Sequence, residues 1–159
     1  MPQDNLSRMI RLAEEFFDVR NDPAQLAVTH EVMDRLRRLH PRTLNEASDA
    51  DGPFAWVLVI PTSRAAMEKF LSGGITERDL PEEARDGSPF EALYLCSALV
   101  LPEYRGKGLA KRLTLEAIAS IRLDHPIRAL YYWAFSGEGK ELAETVAAEC
   151  DLPLFKRED

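Results

Sequence analysis

Val100-Leu101-Pro102-Glu103-Tyr104-Arg105-Gly106-Lys107-Gly108-Leu109-Ala110-Lys111-Arg112 is the stretch on which the reading of this chain turns. Before it, Leu93 to Leu101 is a near-continuous apolar run ended by Pro102, which suits a buried strand. After it, Leu109, Ala110, Leu113, Ala117, Ile118 and Ile121 recur at helical spacing to about residue 123. The stretch is thus a strand, a glycine-rich turn and the start of a helix. A helix N-terminus leaves backbone N–H groups unpaired and carries a partial positive charge, so it attracts an anion. Gly106 and Gly108 remove side chains that would keep a ligand from those groups. Arg105, Lys107, Lys111 and Arg112 add positive charge, whereas the whole chain has a net charge of -7. That local reversal of sign makes sense if the turn meets a multiply charged ligand such as a pyrophosphate. A dinucleotide fingerprint would want glycine or alanine where Lys111 stands, and a Walker loop needs GxxxxGK[ST], which is absent. A tight turn with solvated basic residues is the plain structural alternative.

Working outward, Leu6, Met9, Ile10, Ala13, Phe16 and Phe17 predict an amphipathic helix over about residues 5–20. Asp22 as cap, Pro23 at the first position and Gln25 completing a capping box start a second helix, lined by Leu26, Val32, Met33, Leu36 and Leu39. It stops at His40-Pro41. Residues 41–53 are polar and read as a loop. Phe54 to Ile60 reads as a buried strand ended by Pro61, followed by a short helix capped by Thr62 or Ser63 and closed by Gly73-Gly74. Thr76 followed by Asp79 starts another turn, and the acidic run from Glu77 to Gly87 is expected to be exposed. Residues 129–135 read as a third strand, 136–150 as a last helix, and Leu152 to Phe155 as a short edge strand because of Pro153. Strand, helix, strand and helix in order from 93 to 150 favour a parallel crossover in a sheet covered by helices.

At 159 residues the chain fits one domain, 1–159, with 45% hydrophobic residues to build its core. Its acidic balance argues against nucleic-acid binding through a basic face. Cys96 and Cys150 are too few for a disulfide framework and read as small buried side chains. The opening residues lack a basic segment and a long apolar core, so no signal peptide is expected, and no apolar run reaches the length of a membrane span. A reducing, cytoplasmic setting without membrane contact is the plain expectation. His30, His40 and His125 lack metal-ligand spacing, and no metal is expected. His40 and His125 precede proline at helix ends, which suggests caps or solvent contact. Phe16, Phe17 and Trp56 read as core.

Val100-x-Pro102-x-x-Arg105-Gly106-Lys107-Gly108-x-Ala110, between an apolar strand and an amphipathic helix, resembles motif A of the GNAT-type N-acetyltransferases, whose pattern [Q/R]-x-x-G-x-[G/A] is matched from Arg105 through Ala110. The specific match covers about a dozen residues, and the order of elements extends it loosely over 54–155. The resemblance implies an α+β fold of three layers, α/β/α, in which a central mixed sheet of the acyl-CoA N-acyltransferase type is flanked by helices. The helical N-terminal segment is tolerable within it. It implies acetyl-CoA, or another acyl-CoA, as donor and an amine as acceptor. Carried over by position, backbone groups of Leu99 and Val100 would pair with the pantetheine arm. Backbone N–H groups from Arg105 to Ala110, including Leu109, would hold the pyrophosphate, with Lys111 adjoining. The strand at 129–135 would splay from the one before it, and the thioester would lie in that gap.

Family chemistry is direct attack of a neutral amine on the thioester, with a base and an acid moving the protons. Many relatives supply the acid as a tyrosine in the last helix, and the corresponding stretch, 141–152, has no tyrosine. The substitutes are Tyr94, where some relatives place a glutamate base; one of Tyr131 and Tyr132, which point to opposite faces of their strand, Tyr132 being the candidate carried forward; and Ser136 at that strand's end. Packed sheet tyrosines and a helix-start serine are the bland readings. Glu138 reads as a helix-start carboxylate. The expectation is therefore an acetyl-CoA-dependent N-acetyltransferase. The rival is a catalytically inactive acyl-CoA sensor or protein-interaction module, and a third reading has a homodimer complete the site. The acceptor has no motif.

Overall fold

The structure, a computed structural model, describes residues 4–20, 29–84, 89–133 and 137–158, the side chains of 17–20 excepted. Five strands form one sheet in the order β1 (Leu44–Asp49), β2 (Gly52–Thr62), β3 (Ala92–Val100), β4 (Ala129–Trp133) and β5 (Leu154–Arg157). The first two pairings are antiparallel and the last two parallel, so the sheet is mixed. The helices are α1 (Asn5–Arg20), α2 (His30–Leu39), α3 (Arg64–Leu71), α4 (Leu80–Glu83), α5 (Leu109–Asp124) and α6 (Gly137–Cys150).

Side-chain alternation along the strands sends successive residues to opposite faces. Leu58, Ile60, Tyr94 and Tyr131 meet Leu36 of α2, Met67 and Phe70 of α3 and Leu80 of α4. Val57, Val59, Leu93 and Leu130 meet Leu113, Ala117, Ile118 and Ile121 of α5 and Val146 and Ala147 of α6. Helices therefore cover both faces, which is why β2 to β4 read as near-continuous apolar runs. α1 packs over one end of the sheet, setting Met9, Leu12, Ala13 and Phe16 against Phe54, Trp56, Leu99 and Leu101. Both crossovers, β3–α5–β4 and β4–α6–β5, join parallel neighbours, as the element order predicts.

Three expectations are corrected. Residues 41–53 are not all loop, since β1 pairs with β2 from Leu44↔Leu58 to Asp49↔Gly52. β1 is the edge strand and only Asn45 in it is buried, so it has no apolar alternation to betray it. The second helix does not run unbroken from Asp22, because Thr29 is extended (φ -124, ψ 160) and its Oγ1 accepts the Val32 N–H at 3.1 Å to start α2. The capping box at Asp22, Pro23 and Gln25 lies outside the described residues. The acidic run is not uniformly exposed, for Glu77 and Leu80 are fully buried and Pro81 and Ala84 are buried with them.

Other local signals hold. Ser63 caps α3 through the Ala66 N–H at 3.1 Å, and Gly73 (φ 86) turns the chain at its end. The Asp79 carboxylate accepts from the Thr76 N–H at 2.8 Å and hydroxyl at 2.9 Å. β5 is the far edge strand. Cys96 and Cys150 are not joined in a disulfide, and each is only partly buried rather than buried as expected. His40 and His125 do end α2 and α5, but His40 is buried and its Nε2 meets Asp124 Oδ2 at 2.7 Å rather than solvent.

Candidate anion-binding site

β3 and β4 pair at Ala92↔Ala129, Leu93↔Leu130 and Tyr94↔Tyr131, and among the described residues their pairing stops there. β3 continues to Val100 paired with β2. Its register with β2 shifts between Leu58↔Ser97 and Val59↔Leu95, so Cys96 is the extra residue of a bulge just past the last β4 pair. A bulge bends and twists its strand, and here it coincides with the point where the two parallel strands part. Leu95, Cys96, Ser97 and Ala98 are correspondingly only partly buried.

Which backbone groups face that gap follows from one hydrogen bond. The Leu101 N–H donates to the Phe54 carbonyl of β2 at 2.9 Å. Alternation then turns the N–H and C=O of Leu99 toward β2 and those of Val100 away from it. Adjacent residues cannot both present backbone to one edge, so of the expected pair only Val100 faces the gap. Its carbonyl accepts Arg105 Nε at 2.9 Å, which leaves its N–H as the group on offer.

The chain leaves β3 through a 3-10 turn, Pro102–Tyr104, tied down from two sides. The Tyr104 ring stacks on Phe54 with centroids 4.1 Å apart, and its hydroxyl donates to Asp49. Arg8 of α1 grips Glu103 with both terminal nitrogens, each 2.6 Å from a carboxylate oxygen. Gly106 (φ 78) and Gly108 (φ 73) then swing the chain into α5 through the left-handed region that glycine adopts without strain. A Cβ built on either would meet nothing within 4 Å, so the positive φ and not crowding favours glycine there, and the space above both is open.

The Arg105 N–H turns inward to the Pro102 carbonyl at 3.3 Å, and the next protein-bound amide is that of Arg112, on the Gly108 carbonyl at 3.0 Å. The N–H groups of residues 106–111 meet no acceptor among the described residues. This is a continuous row of open donors at the positive end of a 16-residue helix. Compared with the sequence reading, the row loses Arg105 and gains Lys111.

The cations divide. Lys111 Nζ is bound to Glu149 of α6 at 2.6 Å and Arg112 Nε lies 3.8 Å from Glu116, so both are spent along the helix faces. Lys107 Nζ sits over the Tyr104 ring at 5.5 Å, and Arg105 meets the Val100 carbonyl rather than a carboxylate.

The candidate acid–base residues are not brought together. Tyr94 is buried on the α2–α4 face, and its hydroxyl donates to Glu77 at 2.5 Å. Tyr131 lies beside it, its hydroxyl 2.8 Å from Thr62 Oγ1, and burial pushes its phenol far above the ordinary value. Tyr132 points to the opposite face, where burial again raises the phenol against the pull of Lys156. Ser136 lies outside the described residues, and Glu138 is exposed in the first turn of α6. Sequence reasoning missed Glu77 as an internal carboxylate, because its tyrosine partner stands 17 residues away and leaves no local pattern. It missed Arg8 for the same reason, 95 residues from Glu103.

The chain matches no known protein-family model, and no characterised protein matches it in sequence. No group of His, Cys, Asp and Glu able to hold a metal occurs among the described residues, and no helix among them is long and apolar enough to cross a membrane.

The Arg8–Glu103 pair carries a pH signature. Arg8 holds the Glu103 carboxyl down from 4.5 to about 2, chiefly through its hydrogen bonds. A depressed carboxyl contributes stability that is present above its ordinary value and lost as the pH falls through the folded one. Replacing Arg8 with glutamine should therefore lower stability by a constant amount from pH 7 to 5. The difference from the wild type should shrink between pH 4.5 and about 2. Urea titrations of both proteins across that range measure it.

Proposed function

We propose that this chain is an acyl-CoA-dependent N-acyltransferase, with acetyl-CoA as the default donor and an amine as acceptor. The observation that carries the reading is the row of open amides at 106–111, at the head of α5 and after the strand that runs on past its last pair with β4 among the described residues. Paired phosphates suit such a row, because each oxygen can accept from consecutive N–H groups. The glycines at 106 and 108 leave room for them to approach. The gap beyond Tyr94 and Tyr131 suits an extended amide-bearing arm, which would lie along β3 as a strand lies beside its neighbour. The resemblance of Val100 to Ala110 to motif A joins these two features to one ligand, coenzyme A.

The donor supplies an activated thioester. The chain's part is to hold it at both ends and to set its carbonyl near β3. There the Val100 N–H is the donor able to stabilise charge developing on oxygen. An amine attacking that carbonyl forms the amide bond and releases the thiol, with one proton leaving the nitrogen and one arriving on the sulfur. Tyr132 and Ser136 stand on or just after the strand that borders the gap and are the residues to vary first for the second proton. Tyr94, bound to Glu77 in the interior, is the weaker candidate.

That internal bond, with the lack of tyrosine in α6, favours the second reading, an acyl-CoA sensor that binds without transfer. Calorimetric titration with coenzyme A tests the site, and release of free thiol from acetyl-CoA in the presence of a panel of amines tests transfer. Binding with thiol release supports the enzyme. Binding without release across the panel supports the sensor, and no binding removes both.

A further inference from the structure

Carboxylates stand in and beside the turn that carries the open amides. Glu103 lies in the 3-10 turn just before them, and Asp49 and Asp51 lie at the end of the β1–β2 hairpin. A bare carboxylate beside an anion site repels the ligand that the amides attract. Asp49 is answered by three donors: the Tyr104 hydroxyl, which does most to lower its pKa, the Asn5 side-chain amide at 3.1 Å, and the backbone N–H of Asp51 at 2.8 Å. Glu103 is answered by Arg8, whose two terminal nitrogens match its two oxygens. Fork-to-fork pairing of this kind fixes geometry as well as charge. Arg8 therefore does two things at once. It cancels the negative charge nearest the amides in sequence, and it anchors the turn that aims them, using a helix from the other end of the chain. Arg8 also lines a groove between α1 and Leu101–Pro102.

We propose that Arg8 is a charge-compensating residue of the anion site, without which Glu103 repels the ligand. The proposal rests on the reading of residues 106–111 as the coenzyme A site. It differs from a structural clamp in one measurable respect. A clamp is lost whenever either partner is lost, whereas charge compensation is restored when both charges go.

The test is titration of coenzyme A into the wild type, Arg8→Gln, Glu103→Gln and the double variant, at low salt and at about 0.5 M, with thermal melts to show each is folded. Arg8→Gln should weaken binding roughly threefold to tenfold at low salt and less at high salt, because screening shortens the reach of exposed charge. Glu103→Gln should bind as tightly as the wild type or tighter. The double variant should return to within about twofold of the wild type, restored by removing the offending carboxylate. A double variant as weak as Arg8→Gln, a loss in Arg8→Gln that salt does not reduce, or no loss at all would each overturn the proposal while wild-type binding leaves the site assignment standing. A wild type without affinity for coenzyme A would overturn the site assignment itself.

Discussion

Gly108→Val is expected to abolish the thermal stabilisation that coenzyme A confers, while the apo protein stays folded. The residue sits at φ 73, where a side chain costs about 1–2 kcal/mol, and β-branching makes valine a poor fit to that region. That strain should lower the apo melting temperature by several degrees. The larger effect falls on the ligand. No protein atom lies within 4 Å of the added Cβ, so the new side chain projects into the space the phosphates would use. Hydrogen bonds to a charged group are worth about 1.5–3 kcal/mol each, and blocking one or two implies an affinity loss on the order of a hundredfold. Gly73→Val is the control, because Gly73 has φ 86 and the same empty surroundings but lies after α3. It should show similar strain and keep full affinity. Differential scanning fluorimetry with and without ligand separates the two, and equal stabilisation of wild type and Gly108→Val would remove the site assignment.

Tyr94→Phe is expected to cost about 1.5–3 kcal/mol of stability while leaving turnover, measured well below the melting temperature, within about threefold of the wild type. The ring stays packed against Phe70 and Tyr131, with centroids 5.0 and 5.1 Å away, so the substitution removes one hydroxyl and little else. What it takes from Glu77 is one donor, at 2.5 Å inside a fully buried environment, where a hydrogen bond to a carboxylate is worth more than at the surface. Urea denaturation measures the stability change and thiol release the rate. A collapse in turnover with stability unchanged would instead return a catalytic role to Tyr94.

These experiments bear on the two layers of the site differently. The amide row needs only a local stretch of chain in one conformation, and every residue that makes it is contiguous. The turn that carries it and the gap beside it depend on partners from α1, the β1–β2 hairpin and β4. A ligand site assembled in this way is sensitive both to a side chain added at Gly108 and to change at distant anchors such as Arg8.

Much of the frame was readable along the chain. Phe54–Ile60, Leu93–Leu101 and the strand beginning at Ala129 are apolar because helices cover both faces of the sheet, and such runs need no knowledge of their neighbours to be seen. Ser63, Gly73, and Thr76 with Asp79 act within a turn or two of their own positions, so their roles were visible as well. The amide row was legible for the same reason: its glycines, its helix and its cations follow one another directly. Partners far along the chain decided the rest. β1 is a strand because β2 lies beside it, and Glu77 is interior because Tyr94 and Leu80 surround it. Val100 rather than Leu99 faces the gap because Leu101 bonds to Phe54. Lys111 turns to Glu149 and Glu103 to Arg8 because folding brings α6 and α1 to them. Backbone conformation and periodic burial are set mostly within a few residues, whereas the pairing of a charge or a hydroxyl depends on which distant segment the tertiary structure delivers to it.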